Sequence, residues 1–296
     1  MEAEQTGMKA RTITSLVIIV FMWGVTFPLV KICVAEVPPI TLAFLRFLLS
    51  SPIIVLYSHL RDKDFKSVFT QNLAPLAVMG LTGIMGYEAL QNIGVELTSA
   101  TESSILTSST PIMIALMAAP FLKEKLTRKH ALGIVLGFAG VMVIVLPQMG
   151  NISLNASSLV GNSLNLLAAF SWAIYSVIGR KLATRYTPTG LTAASILLGT
   201  VFFIPPMYVL ETPSLPTSIQ VWLALVILSL GATCLAYTLW NQVLSEEEAS
   251  KSGVALFNVP LVAATVSITF LSESVTSSFA VGAALVLAGI LLAERD

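Results

Sequence analysis

Four ionisable residues sit inside stretches otherwise apolar enough to exclude them: Lys31, Arg46, Glu88 and Glu102. A charge at the centre of a membrane-spanning helix costs about 2.5–3.5 kcal/mol, so a chain that keeps four has a use for them or a way to shield them. Opposite charges at similar depth can pair and fix helix orientation, or line a wet cavity and meet a solute. For Arg46 and Glu88 both readings stand open. Lys31 and Glu102 lie nearer the ends of their stretches, where snorkelling to the headgroups accounts for them. A carboxyl withdrawn from water takes up a proton more readily, which makes Glu88 the first candidate for proton coupling and Glu102 the second. Exchange of Glu88 for Gln is then expected to abolish pH-driven accumulation.

Polar and aromatic side chains surround these charges. Tyr87 adjoins Glu88, and Asn92 follows Glu88 by one helical turn, a spacing repeated by Tyr237 and Asn241. Trp23 and Trp172 hold matched places in two apolar stretches, with Tyr175 a turn beyond Trp172. Rings on a cavity wall can stack on flat or cationic solutes, whereas rings at a lipid interface serve as anchors. Thr107 and Ser108 belong to a hydroxyl-rich run that ends at Pro111, and Asn258 precedes Pro260. Each proline removes a backbone hydrogen bond and is expected to bend its helix, leaving the carbonyls of Thr107 and Leu256 in need of partners. These residues form the candidate substrate site, with Pro111 and Pro260 as its bending points.

The elements that must position this set are membrane helices. Of 296 residues, 55% are hydrophobic and 11% charged, with a mean hydropathy of +0.86. Soluble domains carry about 25% charged residues, so too little polar material is present to cover a water-facing surface. Stretches of about 20 apolar residues span a bilayer core. Ten occur, near 13–35, 38–58, 73–95, 99–121, 129–147, 159–179, 188–210, 221–244, 252–271 and 277–293, after a tail at 1–12. The first holds Pro28, lacks a clear small-x-small cleavage site and runs straight on to a second, so it reads as a span rather than a signal peptide. Fourteen of the sixteen Lys and Arg residues fall on one side of such a topology. By the positive-inside rule that side is cytoplasmic, and both termini face it.

The chain repeats itself at an offset of 149 residues without a gap: Trp23 meets Trp172, Pro39 meets Pro188 and Asn92 meets Asn241. Between 100 and 140, thirteen of forty-one residues match their counterparts. The halves, 13–147 and 159–293, carry five spans each, an odd number, so the second enters the membrane from the opposite side. Inverted repeats of this kind build alternating-access carriers with a site near the midplane. Gly133 and Gly137, and the series Ala280, Ala284 and Ala288, have the spacing of close helix contacts, within the chain or across a homodimer.

The segment Phe121-Leu122-Lys123-Glu124-Lys125-Leu126-Thr127, with Gly133, Gly137 and Gly140 after it, resembles the signature of EamA-type transporters of the drug/metabolite transporter superfamily. Its echo Phe270-Leu271-Ser272-Glu273, with Gly282 and Gly289, is similar, as are Trp23-Gly24, Pro39 with Arg46, and Ala236-Tyr237-Thr238-Leu239-Trp240. The resemblance covers essentially the whole chain. It implies ten helices in two inverted five-helix halves around a central cavity, and export or exchange of small metabolites such as amino acids. It also lends Arg46 a structural or gating role. Glu88 stands where an aromatic or neutral residue is expected, which argues against a wholly neutral cavity.

The expected protein is thus an all-α integral membrane protein of the cell membrane that works as a secondary exporter of a small amphipathic solute. The alternatives are a metabolite exchanger and a multidrug or cation efflux carrier. No Walker A pattern is present, so ATP does not drive the chain directly. No span contains Asp or a central His, which speaks against an enzyme. Cys33, Cys234, His59 and His130 lack metal-ligand spacing. No cofactor is expected. A net charge of +0 with no basic, aromatic-interleaved stretch excludes nucleic acid. The partners are a small solute and the lipid bilayer, with the chain a monomer or homodimer.

Overall fold

The computed structural model describes the backbone of residues 2–62, 65–98, 100–145, 156–271 and 277–293. Every regular element among them is helical. In chain order these are α1 (Glu2–Cys33), α2 (Pro39–Arg61), the short α3 (Phe65–Gln71), α4 (Leu73–Leu97), α5 (Ala100–Thr107), α6 (Thr110–Leu122) and α7 (Arg128–Val145). The second half holds α8 (Ala156–Ala183), α9 (Pro188–Leu210), α10 (Ile219–Glu246), α11 (Ala249–Val254), α12 (Val259–Leu271) and α13 (Ser277–Ala293). Seven helices among the described residues are long and apolar enough to cross a membrane, and two further apolar helices, Thr110–Leu122 and Ala284–Ala293, are shorter. This is the architecture of a multi-pass membrane protein. Large apolar side chains such as Val17, Leu56, Val209 and Leu223 are exposed on its outside, where a bilayer satisfies them and water does not.

Prolines set two of the starts. Pro39 and Pro188 open α2 and α9, where a missing N–H costs no helical bond. Thr187 caps α9 by accepting from the Gly190 N–H at 3.2 Å. The expected bends at Pro111 and Pro260 are instead breaks. A turn at Ser108–Ser109 separates α5 from α6, and a 3₁₀ turn, Ala255–Asn258, separates α11 from α12. Each proline stands at the second position of the new helix. The carbonyls expected to be left open are bonded locally. Thr110 Oγ1 donates to Thr107 O at 2.5 Å, and the Val259 N–H reaches Leu256 O.

Two π-helical turns, Gly80–Gly86 in α4 and Leu228–Leu235 in α10, fall at matching places in the repeat. Such turns rotate the residues that follow relative to an unbroken α-helix, and here Tyr87-Glu88 and Tyr237 follow them. Glycine is required at Gly83, where the Tyr175 ring occupies the place of a Cβ.

The halves interlock through matched contacts. Asp62, just beyond α2, accepts from Thr189 Oγ1 at the start of α9 at 2.5 Å. Glu211, the counterpart of Asp62 just beyond α9, accepts from the N–H groups of Ile40 and Thr41 at the start of α2, both at 2.7 Å. The two helices therefore lie antiparallel, each held at its N-terminus, the favourable end for an anion, by a carboxylate following the other. Helices α7 and α13 cross closely. A Cβ at Gly133 would lie 2.6 Å from Gly289 O, and one at Gly140 2.7 Å from Gly282 O. The glycine stripe thus packs within the chain. Ala284 and Ala288 are exposed and lie off this contact, so of the two readings of their spacing the one within the chain does not hold for them, while Ala280 is outside the described side chains.

Candidate functional site

Between the halves lies a cavity of about 510 Å³ of atom-free space, its mouth included. Trp23, Thr26 and Phe27 of α1, Arg46 of α2, and Tyr87, Glu88 and Gln91 of α4 form one part of its wall. Ser104, Thr107, Ser108 and Thr110 come from the α5–α6 break, Trp172 from α8, Tyr237 from α10, and Leu256 and Val259 from the second break. Both broken helices thus point their interruptions at the same space.

At its floor is an ion pair. Arg46 Nη1 donates to Glu88 Oε2 at 2.6 Å, and the two residues are 1% and 2% exposed. Arg46 Nε donates to Thr233 Oγ1 at 2.6 Å. The Tyr237 hydroxyl lies 3.0 Å from Glu88 Oε1 and 3.2 Å from Gly83 O. Ser229 Oγ donates to the Arg46 carbonyl at 3.0 Å, tying α2 to the π turn of α10. Burial of two charges is tolerable only when their remaining bonding capacity is met. Here both carboxylate oxygens are engaged, and among the described residues Arg46 donates through Nε and Nη1 alone. Glu88 and Tyr237 are themselves repeat counterparts, 149 residues apart.

Trp172 organises the rings. Its centroid is 5.0 Å from that of Trp23, its own repeat counterpart, edge to face at 84°. It stacks on Tyr175 at 4.9 Å and lies 5.1 Å from both Tyr87 and Tyr237. Trp23 Nε1 donates to Ala232 O at 3.1 Å. Trp172 Nε1 is buried without an acceptor.

Of the residues singled out from sequence, Trp23, Arg46, Tyr87, Glu88, Thr107, Ser108, Trp172 and Tyr237 line the cavity. Tyr175 stands behind Trp172, fully buried. Asn92 turns away and donates to Pro39 O at 3.1 Å. Asn241 donates to Tyr175 Oη at 2.8 Å and Thr192 Oγ1 at 2.9 Å, and Asn258 to Ala255 O within its own turn. The side chain of Glu102 lies outside the described residues. Lys31 does more than snorkel. It caps the end of α4, with Nζ 2.8 Å from Val95 O and 2.7 Å from Thr98 O. Its counterpart Arg180 does the same for α10 at Leu244 O. Gln91 was not anticipated. It is 1% exposed, with Oε1 unpartnered, and its signal was its place one turn after Tyr87. Among the described residues no cluster of His, Cys, Asp or Glu is placed to hold a metal.

The profile of the EamA-like transporter family matches residues 10–146 and 159–294. An uncharacterized transporter of Archaeoglobus fulgidus is 31% identical, over 95% of this chain and 97% of that one. A probable amino-acid metabolite efflux pump of Salmonella typhimurium is 29% identical, over 93% and 92% respectively. A solved crystal structure superposes with a TM-score of 0.82 at 22% identity, over 97% of this chain and 96% of the other. That likeness shows the fold.

Proposed function

The chain belongs to the EamA-like transporter family, whose members are transporters rather than enzymes, and we propose that it is a secondary exporter. In this reading it carries a small amphipathic metabolite, an amino acid or a solute of similar size, out across the cell membrane by alternating access. Ten spans form two inverted five-helix halves, 13–147 and 159–293, and both termini are cytoplasmic. The antiparallel lie of the counterpart helices α2 and α9 supports the inversion. So does the α7–α13 crossing, in which Gly133 meets Gly289 and Gly140 meets Gly282.

The observation that carries the proposal is the cavity floor. A buried cation and carboxylate there are bonded across the two halves through Glu88 and Tyr237. A site with both signs matched and aromatic walls suits a solute that is polar at one end and apolar at the other. Rocking one half against the other strains this contact, because Glu88 and Tyr237 belong to different halves. Glu88 is the proposed proton carrier; to take a proton it must part from Arg46.

The test is a panel of amino acids and related metabolites screened for thermal stabilisation of the purified chain, followed by flux of the hits in proteoliposomes. Saturable efflux down a pH gradient, lost in Glu88→Gln, is the expected result. Efflux only when a second solute waits outside marks an exchanger. No saturable flux of any hit refutes the carrier reading.

A further inference from the structure

Four hydroxyls on the cavity wall have their single proton engaged by backbone carbonyls three or four residues earlier in the chain. Thr26 Oγ1 donates to Met22 O at 3.0 Å, Thr107 Oγ1 to Ser103 O at 2.8 Å, Ser108 Oγ to Ser104 O at 2.6 Å and Thr110 Oγ1 to Thr107 O at 2.5 Å. A hydroxyl bonded in this way offers only lone pairs to what it faces. Gln91, on the same cavity, adds a carbonyl oxygen that is buried with no donor. A buried unpartnered acceptor in a native fold calls for an explanation, and a donor on the solute supplies one. Aromatic side chains, Trp23, Trp172 and Tyr87, share the wall, and ring faces attract cations. Arg46 does not repel a cation at this site, because Glu88 neutralises it at 2.6 Å.

The second break is different. Leu256 and Val259 are the repeat counterparts of Thr107 and Thr110, so one break presents hydroxyls to the cavity and the other presents hydrocarbon. Donors share the wall as well, Trp172 Nε1, Gln91 Nε2, the Tyr87 hydroxyl and the rest of the Arg46 guanidinium, and they can receive an acceptor on the solute. They do not define the hydroxyl side.

We infer that the cavity selects its solute by a protonated primary amine carried on an apolar body. The amine N–H groups meet Gln91 Oε1 and the α5–α6 hydroxyl oxygens, the body packs against Leu256 and Val259, and a carboxylate on the solute is optional. This rests on the cavity being the substrate site, and it goes further by naming the group that is recognised.

The test uses the full chain in detergent and three probes titrated by calorimetry at neutral pH. They are 2-phenylethylamine, 3-phenylpropanoate, which has the ring but an acid for the amine, and trimethyl(2-phenylethyl)ammonium, which keeps the charge but no N–H. The primary amine is expected to bind at least about tenfold tighter than either of the others, the scale of one hydrogen bond to a charged group. Gln91→Leu is expected to erase most of that preference, and Gln91→Glu to raise affinity for the amine. If Gln91→Leu does not fold, Gln91→Glu alone decides, since unchanged or weaker amine binding overturns the inference. Equal or tighter binding of the acid overturns it. Equal binding of the trimethyl cation overturns it in favour of ring attraction alone. Absence of binding by all three also overturns it, while saturable flux of another metabolite in proteoliposomes would leave the carrier reading standing.

Discussion

Removing one side of the Arg46–Glu88 pair should destabilise the protein more than removing both. In Arg46→Met the Glu88 carboxylate stays 2% exposed and keeps only the Tyr237 hydroxyl. In Glu88→Leu the guanidinium stays 1% exposed and keeps Thr233. Breaking a buried pair from one side costs about 3–5 kcal/mol, while replacing both partners by apolar residues of similar volume is often neutral. The double variant is therefore expected to be more stable than either single. A double-mutant cycle should return a coupling of at least about 3 kcal/mol, at the upper end for residues in contact. Reversible unfolding in mixed micelles, followed by tryptophan fluorescence, measures it; Trp23 and Trp172 adjoin the site. Additive single effects, each below about 1 kcal/mol, would refute the reasoning. They would mean that water reaches the pair and that the charges are not locked together.

Glu36 lies outside the spans, between α1 and α2, and accepts bonds from Ser218 and Thr217. Those bonds, led by the Ser218 hydroxyl, lower its pKa from 4.5 to about 2. A depressed carboxylate stabilises the fold fully above its unfolded value. The contribution fades as pH falls from about 4.5 through about 2. The stability gap between the protein and Glu36→Gln should therefore close across that window, as read by melting temperature against pH. Gly133→Val puts side-chain carbons where Gly289 O already stands and should cost about 1–3 kcal/mol by overpacking, whereas Ala284→Val, at an exposed position, should leave melting unchanged. Lys31→Met removes the cap from the end of α4 and should speed amide hydrogen exchange in the last turn of that helix. Arg180→Met should do the same at the end of α10, seen by mass spectrometry.

The membrane class and the repeat were legible in the sequence because each depends on composition or spacing. Arg46 and Glu88 could be foreseen as partners, since two opposite charges at similar depth attract in any fold. The third member, Tyr237, was visible only as a matched polar position. That it bonds its own counterpart depends on where the two halves meet, which spacing does not encode. Lys31 was read as an interfacial lysine because the carbonyls that hold it, at Val95 and Thr98, belong to another helix. The open carbonyl expected at Thr107 vanished for a local reason, since Thr110 lies three residues on with a hydroxyl to return. Asn92, singled out for its repeat echo, turns from the cavity to Pro39 O, whereas its neighbour Gln91 lines it. The cavity faces the Tyr87–Gln91 side of α4, and no repeat echo marked Gln91, whose counterpart is Trp240.

Contacts between counterparts carry a historical consequence. Where a residue sits on the axis relating two identical subunits, it meets its own copy. A symmetric ancestor assembled from two unfused five-helix chains would have set glutamate against glutamate, or tyrosine against tyrosine, at the place where Glu88 now meets Tyr237. Two copies of the first half would set two Glu88 carboxylates together, each with its own Arg46, and lose the tyrosine hydroxyl between them. Two copies of the second would carry Ser195 in the place of Arg46 and Tyr237 in the place of Glu88, with no ion pair to form. The present contact therefore needs two halves that differ.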